Sequence, residues 1–419
     1  MREALLHHIW QFKLFSTPTL RTTEGQDIEV LHPGMLNPNA GPDFLEAKLK
    51  IGETIWAGNV EIHVKTSDFI LHGHETDPNY ERLILHVVYE NNLDDRLDLN
   101  CPTLELKNFV SDQLLSRYSK LVNAKKGLPC GSAFMESREL VRDNWLERMM
   151  IERLSHRSAA IQKLSETLNG DLEQVFWVRL AVGFGQKVNA DAFEVLARSV
   201  PWKVLAKHAG NLHQLEAILF GQAGMFDSPK DEYQAQLKTE YDFLKAKFNL
   251  DSMDPSRWKF LRLRPSNFPS IRIAQLAATI HNRFPLIGNF VENSSEHLKG
   301  NEVCASTYWD THHVFGKESK TRKKNFGEMA WRGILINSIV PFAVFLADQR
   351  SDFNLKENWV EVLKKLNSES NSVTLKFEDV GYKPNTAFKS QALIQLHGHY
   401  CQPRNCVNCA IGSAILKQG

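Results

Sequence analysis

Two runs of alternating residues, Phe44–Ile51 and Thr54–Lys65, meet at Gly52-Glu53. A period of two marks a strand with one apolar face, and a two-residue Gly-X connection suits a tight antiparallel hairpin. A chain carrying this hairpin has to build a sheet around it. "LILHVVYE" (Leu83–Glu90) is apolar on both faces and reads as a central strand. "GQDIEVLHPG" reads as a short strand ending in a Pro-Gly turn, and "TLELKNF" offers one more. Leu5, Leu6, Ile9, Trp10 and Leu14 recur at helical spacing, so an amphipathic helix should open the chain. Residues 1–130 therefore read as an α/β domain.

From Glu136 the period changes to 3.6. "RDNWLERMMIERLSHRSAAIQKL", "DLEQVFWVRLAVGFG", "ADAFEVLARSV" and "IRIAQLAATIHNRF" predict long helices, "FGQAG" (Phe220–Gly224) a helix end, and "GILINSIVPFAVFLA" a buried helix interrupted at Pro341. The polar stretch Asn293–Lys324 reads as a long loop, so 131–419 is expected to be a mostly α-helical domain. A net charge of +1 gives no global basic field for nucleic acid, so any such binding has to use local patches. "MREALLHHIWQFKLF" has no unbroken apolar run followed by a cleavage site, and no window reaches the length of an uncharged apolar span. Six cysteines are too few for a disulfide scaffold in a chain of 419 residues. The expectation is a cytoplasmic protein without a membrane partner.

The polar face of the second hairpin strand carries Glu61, His63 and Lys65 in a row. In the simple register Phe44 lies opposite Glu61, and Asp43 in "NAGPDFLEAKL" is one residue out of face. A one-residue bulge at Gly58 would bring Asp43 beside Glu61 and His63. Two carboxylates on adjacent strands suit Mg²⁺ or Mn²⁺, with an imidazole or amine to orient or deprotonate water. "HGHETD" adds His72, His74 and Asp77, residue types that also ligate metals. The competing reading is a wetted sheet face with "PD" as a turn. His86, inside an apolar strand, reads as a core histidine.

"PDF", eighteen positions from Asp43 to Glu61, then "EIH", resembles the PD-(D/E)XK nuclease superfamily, whose core is a helix followed by such a hairpin. The resemblance implies a nuclease-like mixed sheet, Asp43 and Glu61 as metal ligands, and metal-dependent cleavage of DNA or RNA. His63 stands where that superfamily usually has lysine; Lys65 could supply the ammonium instead, and Glu3 is the candidate for an extra carboxylate on the first helix. Two rivals follow from the same residues. One is a nucleic-acid-binding module of nuclease fold without catalysis, and the other is a small-molecule hydrolase using His63, His72, His74 and Asp77.

"HYCQPRNCVNCAIG" sets Cys401, Cys406 and Cys409 within nine residues. Thiols this close suit zinc or an iron–sulfur cluster, and Cys130 in "GLPCGS" is the expected fourth ligand, with His397 or His399 as the alternative. In arrangement this resembles the iron–sulfur staple of some recombination nucleases. "RWKFLRLRPSNFPSIRIAQLA" interleaves Arg257, Arg262, Arg264 and Arg272 with Trp258, Phe260 and Phe268, a pattern suited to phosphates and stacked bases or simply to a helix flank. "KESKTRKKNF" is read as a basic loop, solvated or tracking a phosphate backbone. Taken with "LLHHIW", "HGH" and "FGQAG", these motifs resemble an uncharacterised bacterial family, domain of unknown function 2851.

Overall fold

The computed structural model describes residues 2–17, 19–74, 77–93, 101–124, 127–292 and 303–418. Two compact units emerge, and they interleave along the chain. The first comprises Met1–Leu146, Leu375–Lys383 and Leu396–Gly419, and the second Glu147–Thr374 and Pro384–Gln395. This differs from the expected boundary at residue 130, because the C-terminal cysteine segment groups with the sheet and not with the helices. Sequence period cannot register such a return, since it arises from contacts distant in the chain.

The first unit is built on a seven-stranded mixed sheet. Helix α1 (Glu3–Gln11) buries Leu5, Leu6, Ile9 and Trp10 completely, the apolar stripe its sequence predicted. Strands β1 (Leu20–Arg21), β2 (Asp27–His32), β3 (Met35–Leu36), β4 (Phe44–Ile51) and β5 (Thr54–Lys65) pair antiparallel. The chain then crosses through helix α2 (Thr66–Leu71) to β6 (Leu83–Glu90), which runs parallel to β5, and β7 (Thr103–Glu105) adds parallel to β6. A parallel neighbour requires such a crossover, which is why the "HGH" loop lies between β5 and β6. β6 lies inside the sheet, between β5 and the short edge strand β7, and is buried from Ile84 to Val88, as its unbroken apolar sequence demanded.

Gly52-Glu53 closes the β4–β5 hairpin with Ile51 opposite Thr54, but the bulge is not at Gly58. Ala47 faces Gly58 while Phe44 faces Val60, so the extra residue belongs to β4. Glu46 takes it up at φ +57°, with its N–H donating to Asn59 Oδ1 at 3.3 Å. Gly58 serves a different need. A Cβ there would meet Ile84 Cγ2 at 2.5 Å and the Arg82 carbonyl at 2.7 Å, so glycine lets β5 approach the start of β6.

The second unit is helical, as expected. Leu172–Gly185, Ala190–Ser199, Leu212–Gln222 and Pro269–Arg283 bury large apolar faces. "FGQAG" does end a helix, Leu212–Gln222. Of the expected loop, residues 293–302 lie outside the described residues. From Val303 on it is structured, with a short 3₁₀ turn Thr307–Asp310 and a small hairpin of β8 (His312–Val314) and β9 (Lys317–Glu318). Lys324 of the basic run is buried and donates to the Asp310 and Arg322 carbonyls, so it is no solvated charge. Glu328–Arg350 is long and apolar enough to cross a membrane by length and composition once a charge such as Arg332 is allowed in the window. Here it is a core helix, with Phe342, Phe345 and Leu346 buried.

Candidate functional site

The row on β5 is buried at Glu61 and His63 and solvated only at Lys65. Glu61 is 4% exposed and His63 2%. The Glu46 bulge places Asp43 opposite Glu61, and each carboxylate is held by the other strand's backbone. Asp43 N–H donates to Glu61 Oε2 and Ile62 N–H donates to Asp43 Oδ2, both at 3.0 Å. Upstream, Asn37 organises the "NPNAGPD" loop: its side chain donates to the Pro42 carbonyl and accepts from Asn39 N–H. That loop delivers Asp43 to the start of β4.

The second Glu61 oxygen faces imidazoles. Oε1 lies 3.3 Å from His74 Nε2 and 3.6 Å from His63 Nε2, while His63 Nε2 is 3.1 Å from His72 Nδ1. Among the described residues, His63, His72 and His74 form a trio whose ligand atoms all lie within 4.8 Å of one another. β5 supplies His63, and the turn after α2 supplies His72 and His74. Behind them His63 Nδ1 lies 3.0 Å from His86 Nε2, a partner that fixes the ring orientation. Phe69 packs against His63, His74 and His86 as an apolar wall, and Tyr80 stacks on His74 with ring centroids 4.1 Å apart.

Three further residues complete the cluster, and of these the sequence reading singled out only Glu3. Helix α1 carries Glu3 and His7 four residues apart, hence on one face. His7 Nε2 sits 3.2 Å from Asp43 Oδ2, and Glu3 is close enough to Asp43, His7 and His72 to feel their charges. The i, i+4 spacing was a usable signal for His7. Tyr80 had none, because a 3₁₀ turn after a loop has no readable period. Asp77 caps that turn through Asn79 N–H at 2.9 Å and reaches His74 and Tyr80 only electrostatically. Lys65 ends β5 exposed, beside Glu90, and does not join the imidazoles.

Burial and like charge shape the electrostatics. Glu61 is pushed up to about 8, first by burial and then by the Asp43 charge, and Glu3 is raised by burial and by Asp43. Burial and the neighbouring His86 push His63 down to about 3, and burial lowers His74. Carboxyls that resist ionising and imidazoles that resist protonation lie side by side. This donor set fits a divalent ion, which would reverse both penalties at once.

The cysteines form a second cluster. Cys130 feels the charges of Cys406 and Cys409, and Cys401 those of the other three, so the four thiols lie near one another, though among the described residues only the imidazole trio brings three ligand atoms within 4.8 Å. Burial pushes Cys130 up to about 12 and Cys406 to about 11. Gly412 lets helix Ala410–Leu416 approach, since a Cβ would meet the Cys406 carbonyl at 2.1 Å. The N–H groups of Ile411 and Gly412 point at the Cys409 sulfur. His397 is engaged elsewhere, its Nε2 3.0 Å from Lys376 Nζ.

The arginine stretch divides. Arg257, Arg262 and Arg264 are exposed. Arg272 is buried, bonded to Asn267 and Gln275 and laid over the Phe326 ring, and Trp258 is buried with its indole on the Ala223 carbonyl. Those two hold the helical core together and present nothing to a base.

Fold and cluster together define a mixed-sheet α/β protein with a histidine–carboxylate centre and an appended helical unit. The chain matches, over residues 3–372, the model of the family described as "Protein of unknown function (DUF2851)", and it belongs to that family. The C-terminal cysteines lie beyond the matched residues. Neither a curated protein nor a solved structure matches the chain.

Proposed function

We propose that this protein is a metal-dependent hydrolase acting on phosphodiester bonds of DNA or RNA. The observation that carries the reading is the meeting of His63, His72 and His74, two of them, His63 and His74, within 3.6 Å of Glu61 Oε1, next to Asp43 across the strand pair. Its hairpin follows a helix and sets Asp43 eighteen residues before Glu61, the arrangement by which the sequence resembles PD-(D/E)XK nucleases. His63 departs from that pattern in kind. A buried, neutral imidazole cannot replace an ammonium, so it acts as a ligand, and the mixture of imidazoles and carboxylates favours Mn²⁺ or Zn²⁺ over Mg²⁺.

A divalent ion held by Glu61, Asp43 and the imidazoles would supply Lewis acidity and a water of lowered pKa. The chain's own residues do the rest. The reciprocal backbone bonds hold both carboxylates in place, His86 orients His63, and Phe69 keeps bulk water from the rear of the cluster. Glu3 and His7 stand on α1 at the Asp43 side, placed to accept or return a proton. The small-molecule hydrolase remains the second reading, favoured by the histidine content of the site.

Incubating metal-stripped protein with end-labelled DNA and RNA, and with a chromogenic phosphodiester, under Mn²⁺, Zn²⁺ or Mg²⁺ tests the proposal. Cleavage of the polymers that chelator and Glu61→Ala both abolish is expected. Turnover of the small diester alone supports the second reading, and salt-dependent binding without cleavage by any metal points to an inactive module.

The cysteines hold a second, structural centre in this reading, zinc or an iron–sulfur cluster bound by Cys130, Cys401, Cys406 and Cys409. Absorption near 400 nm with iron in the purified protein identifies the cluster, and a colourless protein with one zinc per chain the alternative.

A further inference from the structure

The helical unit contains a cavity of about 480 Å³ lined by Arg157, Arg179, Lys187, Gly183, Gly333 and Asn337, among others, with apolar walls from Ile161 and Val182. Its charge is one-sided, for no carboxylate lines it. The cause lies in Pro341. Proline has no N–H, so in the helix Glu328–Arg350 the carbonyl four residues earlier, Asn337, lacks its usual donor. The helix widens locally to an i→i+5 turn over Leu335–Ile339, a form often found at functional sites. The freed carbonyl accepts from two guanidiniums instead, Arg157 Nη1 and Arg179 Nη2, both at 3.1 Å. Arg157 also donates to Asn337 Oδ1 at 3.0 Å.

Two arginines converging on one neutral oxygen repel each other, and Arg153 adds to the field on Arg157. The counter-charge on Arg157, Glu369, is already engaged by Gln391 and by Asn337 Nδ2, and the one on Arg179, Glu194, pairs with Arg198. Arg179 Nε is buried with no hydrogen-bond partner, a donor left over. Gln186, on the cavity wall, holds φ +50° and ψ −145°, a conformation that costs a non-glycine residue roughly 1–3 kcal/mol and tends to persist where function needs it.

We propose that this cavity binds a small organic phosphate, the phosphate between Arg157, Arg179 and Lys187 and the organic part against the apolar walls. Guanidinium forks match phosphate oxygens in pairs, and the volume lies within the range of small-molecule sites, about 300–1,000 Å³. The proposal is independent of the chemistry assigned to the sheet. It is tested by calorimetric titration of the full chain with AMP, inorganic phosphate and citrate, with EDTA present so that no metal bridges the ligand. Gly333→Leu fills the cavity where a Cβ meets open space, on a helix where leucine is favoured over glycine, so the fold should persist. Arg179→Met removes the leftover donor.

The expected result is one AMP per chain, weaker inorganic phosphate, and at least about tenfold weaker AMP binding in both variants. Citrate binding in place of AMP would overturn the phosphate assignment. No heat with any probe, or AMP binding unchanged in Gly333→Leu, would overturn the site.

Discussion

Glu61 and Asp43 face each other across the β4–β5 pair, and the burial of Glu61 beside the Asp43 charge leaves that charge poorly compensated. Removing either should relieve repulsion, so Asp43→Ala and Glu61→Ala should lose metal-dependent cleavage while their melting temperatures stay level or rise. Unfolding of both variants, or full activity in either, would show that the row is structural. His63 gives a sharper contrast. His63→Lys restores the residue usual in the resembling nucleases, but it pushes an ammonium into a slot 2% exposed between His72 and His86. It should be as inactive as His63→Ala and should bind less metal; activity retained in the lysine variant would mean that His63 is not a ligand.

Glu216, in the helical unit, offers a test away from the metal chemistry. It is wholly buried, accepts from the Tyr233 hydroxyl, and is raised by burial to about 7. A carboxyl whose folded pKa exceeds its unfolded one costs stability as pH rises from about 4.5 to about 7. Glu216→Gln keeps the acceptor and drops the charge. Its melting temperature relative to the parent should therefore be higher at pH 8 than at pH 4.5. The corresponding difference in unfolding free energy between the two pH values is of the order of 1–3 kcal/mol. A difference that does not vary with pH would contradict the buried-charge account.

At the scale of elements, the bulge at Glu46 decides whether Asp43 reaches the site. Glu46→Gly suits φ +57° and should leave stability and activity nearly unchanged, whereas Glu46→Val has to strain or remove the bulge. The valine variant should lose about 1–2 kcal/mol by chemical unfolding and most metal affinity, because Asp43 swings out of register. Equal affinity in the two variants would detach the bulge from the site. The hairpin, its turn, α1 and β6 were legible because period and turn chemistry are local properties. The bulge was legible only as a need: the sequence pointed to Gly58, the residue a bulge usually prefers, while close packing against Ile84 had already claimed that glycine. The Pro341 interruption was readable too. What it does, freeing the Asn337 carbonyl for two arginines more than 150 residues away in sequence, was not.

For the molecule as a whole, the sheet unit gathers residues from both ends of the chain, including Cys130 and the C-terminal triplet. A centre tying them closes a loop of more than 270 residues, and loop closure of that length restricts the unfolded chain considerably. Cys130→Ser should lower metal content and melting temperature together, and adding Cys409→Ser should lower neither much further. Independent, additive losses would mean that the thiols do not share a centre. The spacing of Cys401, Cys406 and Cys409 announced a cluster, and the choice of Cys130 as its fourth ligand already drew the tail back to the end of the α/β unit, even though the domain boundary at residue 130 counted that tail with the helices.

The central claim is that Glu61, Asp43 and the three imidazoles hold a metal. Counting Mn²⁺ bound to metal-stripped protein by electron paramagnetic resonance tests it most directly, since Mn²⁺ prefers oxygen and imidazole to thiolate and leaves the cysteine cluster out of the count. At least one tightly bound Mn²⁺ per chain is expected in the parent, with that ion lost from Glu61→Ala, which should remain folded. The same count in parent and variant, or no bound Mn²⁺ at all, would contradict the account.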